Sequence, residues 1–439
     1  MIGSHAFWTV LGFATSLLIR LGTSVIVSRI LYPDALGVMV ILNSLRTGIE
    51  LLSDIGIEQN IVHHKGGLAP AFYDTAFTLQ IIRGILLSFL FVVASIPLSR
   101  VYSVDVKFFF AMSVVPFVNS LTSTAVFAAV KTLDVRRRNL FEVSSEFLAS
   151  ICAIVFAIAM KSVWSLIFAA IVGTAIRAFL SYFLPFRIPK LRLVHSHVTE
   201  ILSFGRWIVF ASLLSYLASN VDRLIIGSVD GLTALGVYGL ARTIADLPAS
   251  LAGRVAYQLL FPHLSRHRDP DGSEYVFRWQ MMLQFGSAIF IAIACSWADF
   301  VIRCVYDQRY GDAAWMLSIL LFGAWFNVVA TLNEASLLSA GVPSNMGAAS
   351  ATKLGVLLST IFVLHNIFGL EGAVMAIAVS EICRSLLIAV RIKKIEPRLF
   401  LPTVAAHVIF CSSLLAQLGI RHLFGLGTPL SAIQGIRSW

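Results

Sequence analysis

The chain has 439 residues, of which 58% are hydrophobic and only 13% charged, with a mean hydropathy of +0.86 and a formal net charge of +10. A water-soluble domain carries about 25% charged residues, so this composition excludes a soluble particle and makes lipid the solvent. A nucleic-acid surface is excluded as well, because the basic residues sit in short links between apolar runs.

An apolar run of about 20 residues crosses a hydrocarbon core of about 30 Å as a helix. In chain order such runs lie at 6–31, 36–58, 76–98, 107–130, 141–160, 163–185, 201–228, 232–260, 279–303, 312–338, 346–368, 370–393 and 401–424. The first lacks a basic leader and a small-residue cleavage site and carries Arg20, so it reads as a retained helix. Only Lys161 and Ser162 separate the fifth run from the sixth, and His407 and Gln417 interrupt the last. Cys152, Cys295, Cys304, Cys383 and Cys411 form no CxxC pair, which suggests neither a disulfide framework nor a zinc site.

The tetrapeptide ALGV occurs at Ala35–Val38 and again 199 positions later at Ala234–Val237. The same offset pairs Ser4 with Ser203, Trp8 with Trp207 and Leu18 with Leu217. In both places ALGV follows an apolar run and a short link, so the chain reads as two related halves. Gly37 and Gly236 are expected to let the chain turn tightly into the next helix. Counting the adjoining run ends, the links after even-numbered runs carry sixteen basic residues against six for odd-numbered ones, which places the even links and the N-terminus in the cytoplasm. With an even number of runs per half, the repeat is parallel. The expected fold is an all-α polytopic membrane protein. It has two parallel six-helix bundles around a central cavity, over 1–190 and 191–396, with an additional membrane helix and tail over 397–439.

The segment SFGRWIVFASLLSYLASNVDRLIIGSVDGLTALGVYGLARTIADLP (Ser203–Pro248) resembles the Wzx-type oligosaccharide flippases, the polysaccharide-transport branch of the MOP superfamily that also contains the MATE exporters. Supporting segments are LLIRLGTSVIVSRILYPDALGV (Leu17–Val38), LLSDIGIEQNIV (Leu51–Val62), TLQIIRGILL (Thr78–Leu87), LFPHLSR (Leu260–Arg266) and FGLEGAVMAIAVSEICRSLL (Phe368–Leu387). The resemblance implies two six-helix bundles around a cavity in a bacterial inner membrane. It also implies translocation of undecaprenyl-diphosphate-linked sugar units to the periplasmic face, beside a polysaccharide polymerase and chain-length proteins.

Ionisable groups inside lipid cost a few kcal/mol or more each, so they face a cavity or a partner. Arg20, Arg46, Arg83, Arg177 and Arg242 all fall within apolar runs. Guanidinium groups grip phosphate in two-pronged fashion, so these five are the candidate substrate-binding residues for a diphosphate headgroup. The opposing reading is local pairing: Glu50 and Asp54 follow Arg46 on one helical face, Asp246 follows Arg242 at i+4, and Glu381 precedes Arg384 at i−3. Glu50, Asp54, Asp222, Asp246 and Glu334 are candidates for carrying a coupling ion. No nucleotide-binding phosphate loop is present, and no cofactor is implied. His263 and His267 have helical metal spacing but no acidic or cysteine partner at a ligand offset, so no metal is expected. A cation-coupled drug exporter of the same fold is the main alternative. A membrane polymerase or ligase is disfavoured because every outward link is about a dozen residues or fewer.

Overall fold

A computed structural model describes residues 2–432 except 54–55, 133, 262–263, 265–269, 341 and 343. The described elements are all helical, as they must be where no water is available to satisfy backbone N–H and C=O groups. Two compact units divide at Thr233/Ala234.

The unit Met1–Thr233 contains α1 (Ile2–Ile30), α2 (Pro33–Leu52), α3 (Ile57–His63), α4 (Pro70–Tyr102), α5 (Val106–Met112), α6 (Val114–Ser120), α7 (Ala125–Lys131), α8 (Val135–Met160), α9 (Val163–Ser181) and α10 (His195–Val229). The repeat assigned α10 to the second half; by contacts it belongs to this unit, where it packs on α2. Gly48 on α2 leaves room there for the Tyr216 ring, whose hydroxyl donates to the Ser44 carbonyl at 2.7 Å. Leu86, Phe89, Val93 and Ile96 form an exposed stripe on α4 at helical spacing, the inside-out pattern expected of a helix facing lipid. At the other end of that helix, Asp74 receives two bonds of 2.8 Å from Arg187, tying the 182–194 link to the first turns of α4. Those bonds hold the Arg187 guanidinium above its ordinary pKa.

The unit Ala234–Trp439 contains α11 (Gly231–Val255, from Ala234 on), α12 (Pro270–Ser296), α13 (Ala298–Val305), α14 (Ala313–Ser339), α15 (Ser344–Phe368), α16 (Leu370–Ile395) and α17 (Pro397–Leu423). Its core helix is α14, whose most apolar window is 78% buried against 50% for α16 and 22% for α15 and α17. Gln280 and Gln284 of α12 donate to Asn333 of α14 at 3.1 and 3.0 Å, and Asn333 donates to Thr403 of α17 at 3.2 Å. Amide bonds of this kind join helices that have no hydrophobic drive to associate in lipid. Residues 397–423 therefore pack into this unit through α12 and α16.

Among the described residues each of the thirteen apolar runs is mostly helical, with interruptions in the second, fourth and ninth and a helix end at Ser181 in the sixth. Among the described residues, nine helices are long and apolar enough to cross a membrane, or ten if the pair bent by 53° over 106–131 is one span. The helices α2, α10 and α11 fall outside that set. The first carries Asp34, Arg46 and Glu50 and the last Arg242, Asp246 and Arg254, so the charges that marked candidate sites also lower the apolarity. The expected role of Gly37 is corrected. Its φ is not positive, and it lies within α2, where a Cβ would collide with the Leu232 carbonyl. Close backbone approach, not a turn, requires glycine there. Beside it, Thr233 donates to the Asp34 carboxylate across the same 199-residue offset.

Candidate functional site

Two helices of the unit Met1–Thr233 break, and the breaks face one cavity. The first follows α2: Gly56 adopts φ +62, a left-handed conformation, and α3 begins one residue later. The second lies between α6 and α7, at Leu121–Thr124, within the bent pair. A broken membrane helix exposes carbonyls that need donors, and irregular backbone at such depth is tolerated where it is buried in protein or lines a cavity. Here α4 supplies the donors. Arg83 donates from Nη2 to the Glu50 carbonyl at 2.6 Å and from Nε to the Ser53 hydroxyl at 3.1 Å. Gln80 donates from Nε2 to the Ser120 and Thr122 carbonyls at 2.9 and 2.8 Å. The Tyr182 hydroxyl donates to the Leu121 carbonyl at 2.8 Å. Gly84 lets α6 press against α4, since a Cβ there would overlap the Ser120 side chain.

The space, a partly open cleft of about 280 Å³, is lined by Glu50, Ile57, Glu58, Gln59, Gln80, Arg83, Gly84, Leu87, Pro116, Asn119, Ser120, Thr122, Val126, Phe127 and Arg177. Three of the charged residues singled out in the sequence meet here, Glu50, Arg83 and Arg177, with Arg46 pairing Glu50 at 3.5 Å from one turn away. Arg177 sits over the Phe141 ring, 5.2 Å from its centroid. The sequence did not point to Glu58, Gln59, Gln80, Asn119 or Thr122. The only hint was that neutral polar residues interrupt the fourth run at Asn119–Thr124.

The other candidates lie elsewhere. Arg20 is half exposed, with Nε 3.9 Å from Glu146 of α8. Arg242 is buried and pairs with Asp246 at 3.1 Å. Asp222 is buried on α10, one residue from Arg223, which donates to Asn220 at 2.9 Å. Glu334 accepts two bonds from Arg384, at 2.8 and 2.9 Å. Arg384 also faces Glu381 at 3.6 Å, and Glu381 is held by Lys353 at 2.6 Å and Asn327 at 2.9 Å. Two carboxylates and two cations thus close a buried, charge-balanced cluster joining α14, α15 and α16. Asp54, His263 and His267 lie outside the described residues. Among the described residues, no group of three His, Cys, Asp or Glu side chains is arranged to hold a metal.

Residues 26–315, which include the whole cavity lining, match the family described as "Polysaccharide biosynthesis protein". The chain belongs to that family. It is 23% identical over 411 residues to the "Putative O-antigen transporter" of Shigella flexneri, covering 88% of this chain and 96% of the relative. It is 23% identical over 279 residues to "Lipopolysaccharide biosynthesis protein WzxC" of Escherichia coli, covering 61% of this chain but spanning only 55% of that relative's length. Among solved structures it is similar to the lipid II flippase MurJ in an inward closed conformation, with a TM-score of 0.75 at 12% identity over 96% of this chain and 93% of the other. An inward-facing MATE multidrug transporter of the MOP superfamily gives 0.61 at 14% identity over 90% and 95%. The family member is therefore a multi-span membrane protein with the fold that the MurJ and MATE structures share.

Proposed function

We propose that the protein is a flippase that carries undecaprenyl-diphosphate-linked oligosaccharide units from the cytoplasmic to the periplasmic face of a bacterial inner membrane. The observation that carries this reading is the polar cavity at the two helix breaks, inside the segment matched by the polysaccharide family. Arg83 lies about 20 Å along α4 from Pro70, and the 64–69 link before that helix is on the side the basic asymmetry assigns to the cytoplasm. The cavity thus lies toward the side where a lipid-linked sugar would be loaded. The diphosphate needs cations not already neutralised. Arg20 meets Glu146 only at 3.9 Å, and Arg177 has no carboxylate within 4.0 Å among the described residues. A polymerase and chain-length proteins would consume the delivered units.

The test is translocation in vesicles containing the purified full chain and a fluorescent lipid-diphosphate oligosaccharide, with arrival at the far leaflet read by a membrane-impermeant lectin. Protein-dependent arrival is expected. Export of cationic dyes without any movement of the glycolipid would instead support the drug-exporter reading.

A further inference from the structure

We infer that the link 182–194, between α9 and α10, is a docking surface for anionic phospholipid. Its basic side chains meet the headgroup phosphates, and its aliphatic ones lie among the upper acyl carbons. The inference concerns the membrane and not the cargo, so it goes beyond the flippase reading and does not depend on it.

Charge is the first argument. Residues 182–194 read YFLPFRIPKLRLV, with three basic residues and no acidic one. Arg187 is taken by Asp74. Lys190 and Arg192 are exposed, and among the described residues neither is in an ion pair. The next carboxylate along the chain, Glu200, already lies 3.0 Å from His64. Unpaired cations beside an apolar surface suit an anionic lipid headgroup, which supplies the missing charge.

The aliphatic side chains are the second. Ile188, Leu191 and Leu193 are 54–71% exposed. The backbone cannot turn them inward, because it is bonded down onto the first turns of α4. The Lys190 N–H donates to the Asp74 carboxylate at 2.9 Å, and the Val194 N–H donates to the Thr75 hydroxyl at 3.2 Å. The Thr78 hydroxyl accepts from the Arg192 N–H at 2.9 Å and donates to the Arg192 carbonyl at 3.0 Å. Pro185 and Pro189 stiffen the link further. A contiguous apolar patch held outward in this way marks a contact surface.

Depth is the third, and it decides the occupant. Thr78 precedes Ile82 by four residues, about 6 Å along the helix axis, and Ile82 is where the exposed apolar face of α4 begins, continuing through Ile85, Leu86 and Phe89. At the other end of the link, Phe183 stands edge-on to Phe179 of α9 with ring centroids 5.1 Å apart, and both are exposed. The link thus lies at the rim where two lipid-facing helices leave the hydrocarbon. Aromatic and basic side chains belong at that level, with aliphatic stems in lipid and charges at the phosphates. A soluble acidic partner would instead require these aliphatic residues to stand clear of the headgroups.

The test uses the full chain in nanodiscs of phosphatidylcholine and phosphatidylglycerol. Leu191→Cys, in a chain whose five native cysteines are replaced, carries a bimane fluorophore. A nitroxide near the top of the acyl chain is placed on either lipid in turn. Both lipids should quench the bimane, phosphatidylglycerol more strongly, and aqueous iodide should quench it weakly. Lys190→Gln and Arg192→Gln should each lower the preference for phosphatidylglycerol about fivefold, and added salt should lower it as well. Quenching by phosphatidylcholine should persist in both variants, showing that the link is still seated and the chain still folded. Quenching by iodide without quenching by either lipid would overturn the inference and favour a soluble partner. Equal quenching by the two lipids, or a preference that neither variant changes, would overturn it too. The glycolipid translocation assay reads the flippase function independently of all these outcomes.

Discussion

Among single residues, the arginines separate by what already satisfies them. Arg242 is buried against Asp246, and Arg83 holds broken backbone together. Removing either leaves a buried group without its partner, so loss of function on mutation would not show that it binds substrate. Arg20 is different. Its contact with Glu146 is long and both side chains are partly exposed, 54% and 35%, the class of pair that contributes about 0–1 kcal/mol in water. Arg20→Ala should therefore leave the amount of folded protein in the membrane unchanged while abolishing delivery of the lipid-linked sugar. Arg20→Lys should restore it only in part, because an ammonium keeps the charge but loses the two-pronged grip on phosphate. Quantitative blotting of membranes beside the surface-polysaccharide yield separates these effects. Full delivery by Arg20→Leu would mean the side chain is a passenger.

Helices and their breaks show what could be read in advance. The positions of the membrane helices were legible because a run of about 20 apolar residues in lipid has one stable form. Arg46, Glu50, Arg83 and Arg177 were legible because a charge in such a run is too costly to be incidental. The breaks at Gly56 and at Leu121–Thr124 were not, since hydropathy is blind to φ and a few polar residues do not end an apolar run. Gln80, Asn119 and Thr122 carry no charge and raised no alarm, although LLSDIGIEQNIV and TLQIIRGILL both contribute to the cavity wall. What holds the two breaks in register is Lys131, the last residue of α7. Its Nζ donates to the carbonyls of Ile61 at 2.9 Å, of Val62 at 3.3 Å and of His64, at the C-terminal end of α3. A cation at that helix end also meets the negative pole of the dipole. Charged hydrogen bonds contribute about 1.5–3 kcal/mol, so Lys131→Met should cost about 2 kcal/mol and loosen the 64–69 link. A lowered denaturation midpoint, with faster proteolytic nicking in that link, is the expected result. An unchanged midpoint would mean that α3 is held by Ile57 and Ile61 packing on Phe72 and Phe127 alone.

For the whole chain the open question is how many helices cross, and it turns on α2, α10 and α11. Their lengths of 20, 35 and 25 residues correspond to about 30, 52 and 37 Å, each enough for the hydrocarbon core. Their charges argue against crossing only if unpaired. Arg46 has Glu50 and Arg242 has Asp246 on the same helix face, which lowers the cost of carrying them through lipid. We therefore expect all three to cross, which puts Asp230 on the side opposite to both Arg137 and Lys394. The basic asymmetry of the links adds that Asp230 faces outward. Single cysteines at 137, 230 and 394, in a chain whose five native cysteines are replaced, can be labelled with an impermeant maleimide. The Arg137 side chain is 56% exposed and Lys394 is exposed, so lack of labelling at either would report sidedness and not burial. In intact cells only position 230 should react, and positions 137 and 394 should react after permeabilisation. Reaction at 137 and 394 but not at 230 would reverse the orientation while keeping the crossings. Reaction of 230 and 394 from the same side would show that an odd number of the five expected crossings between them fails, and α11, with its three charges, is the first to suspect.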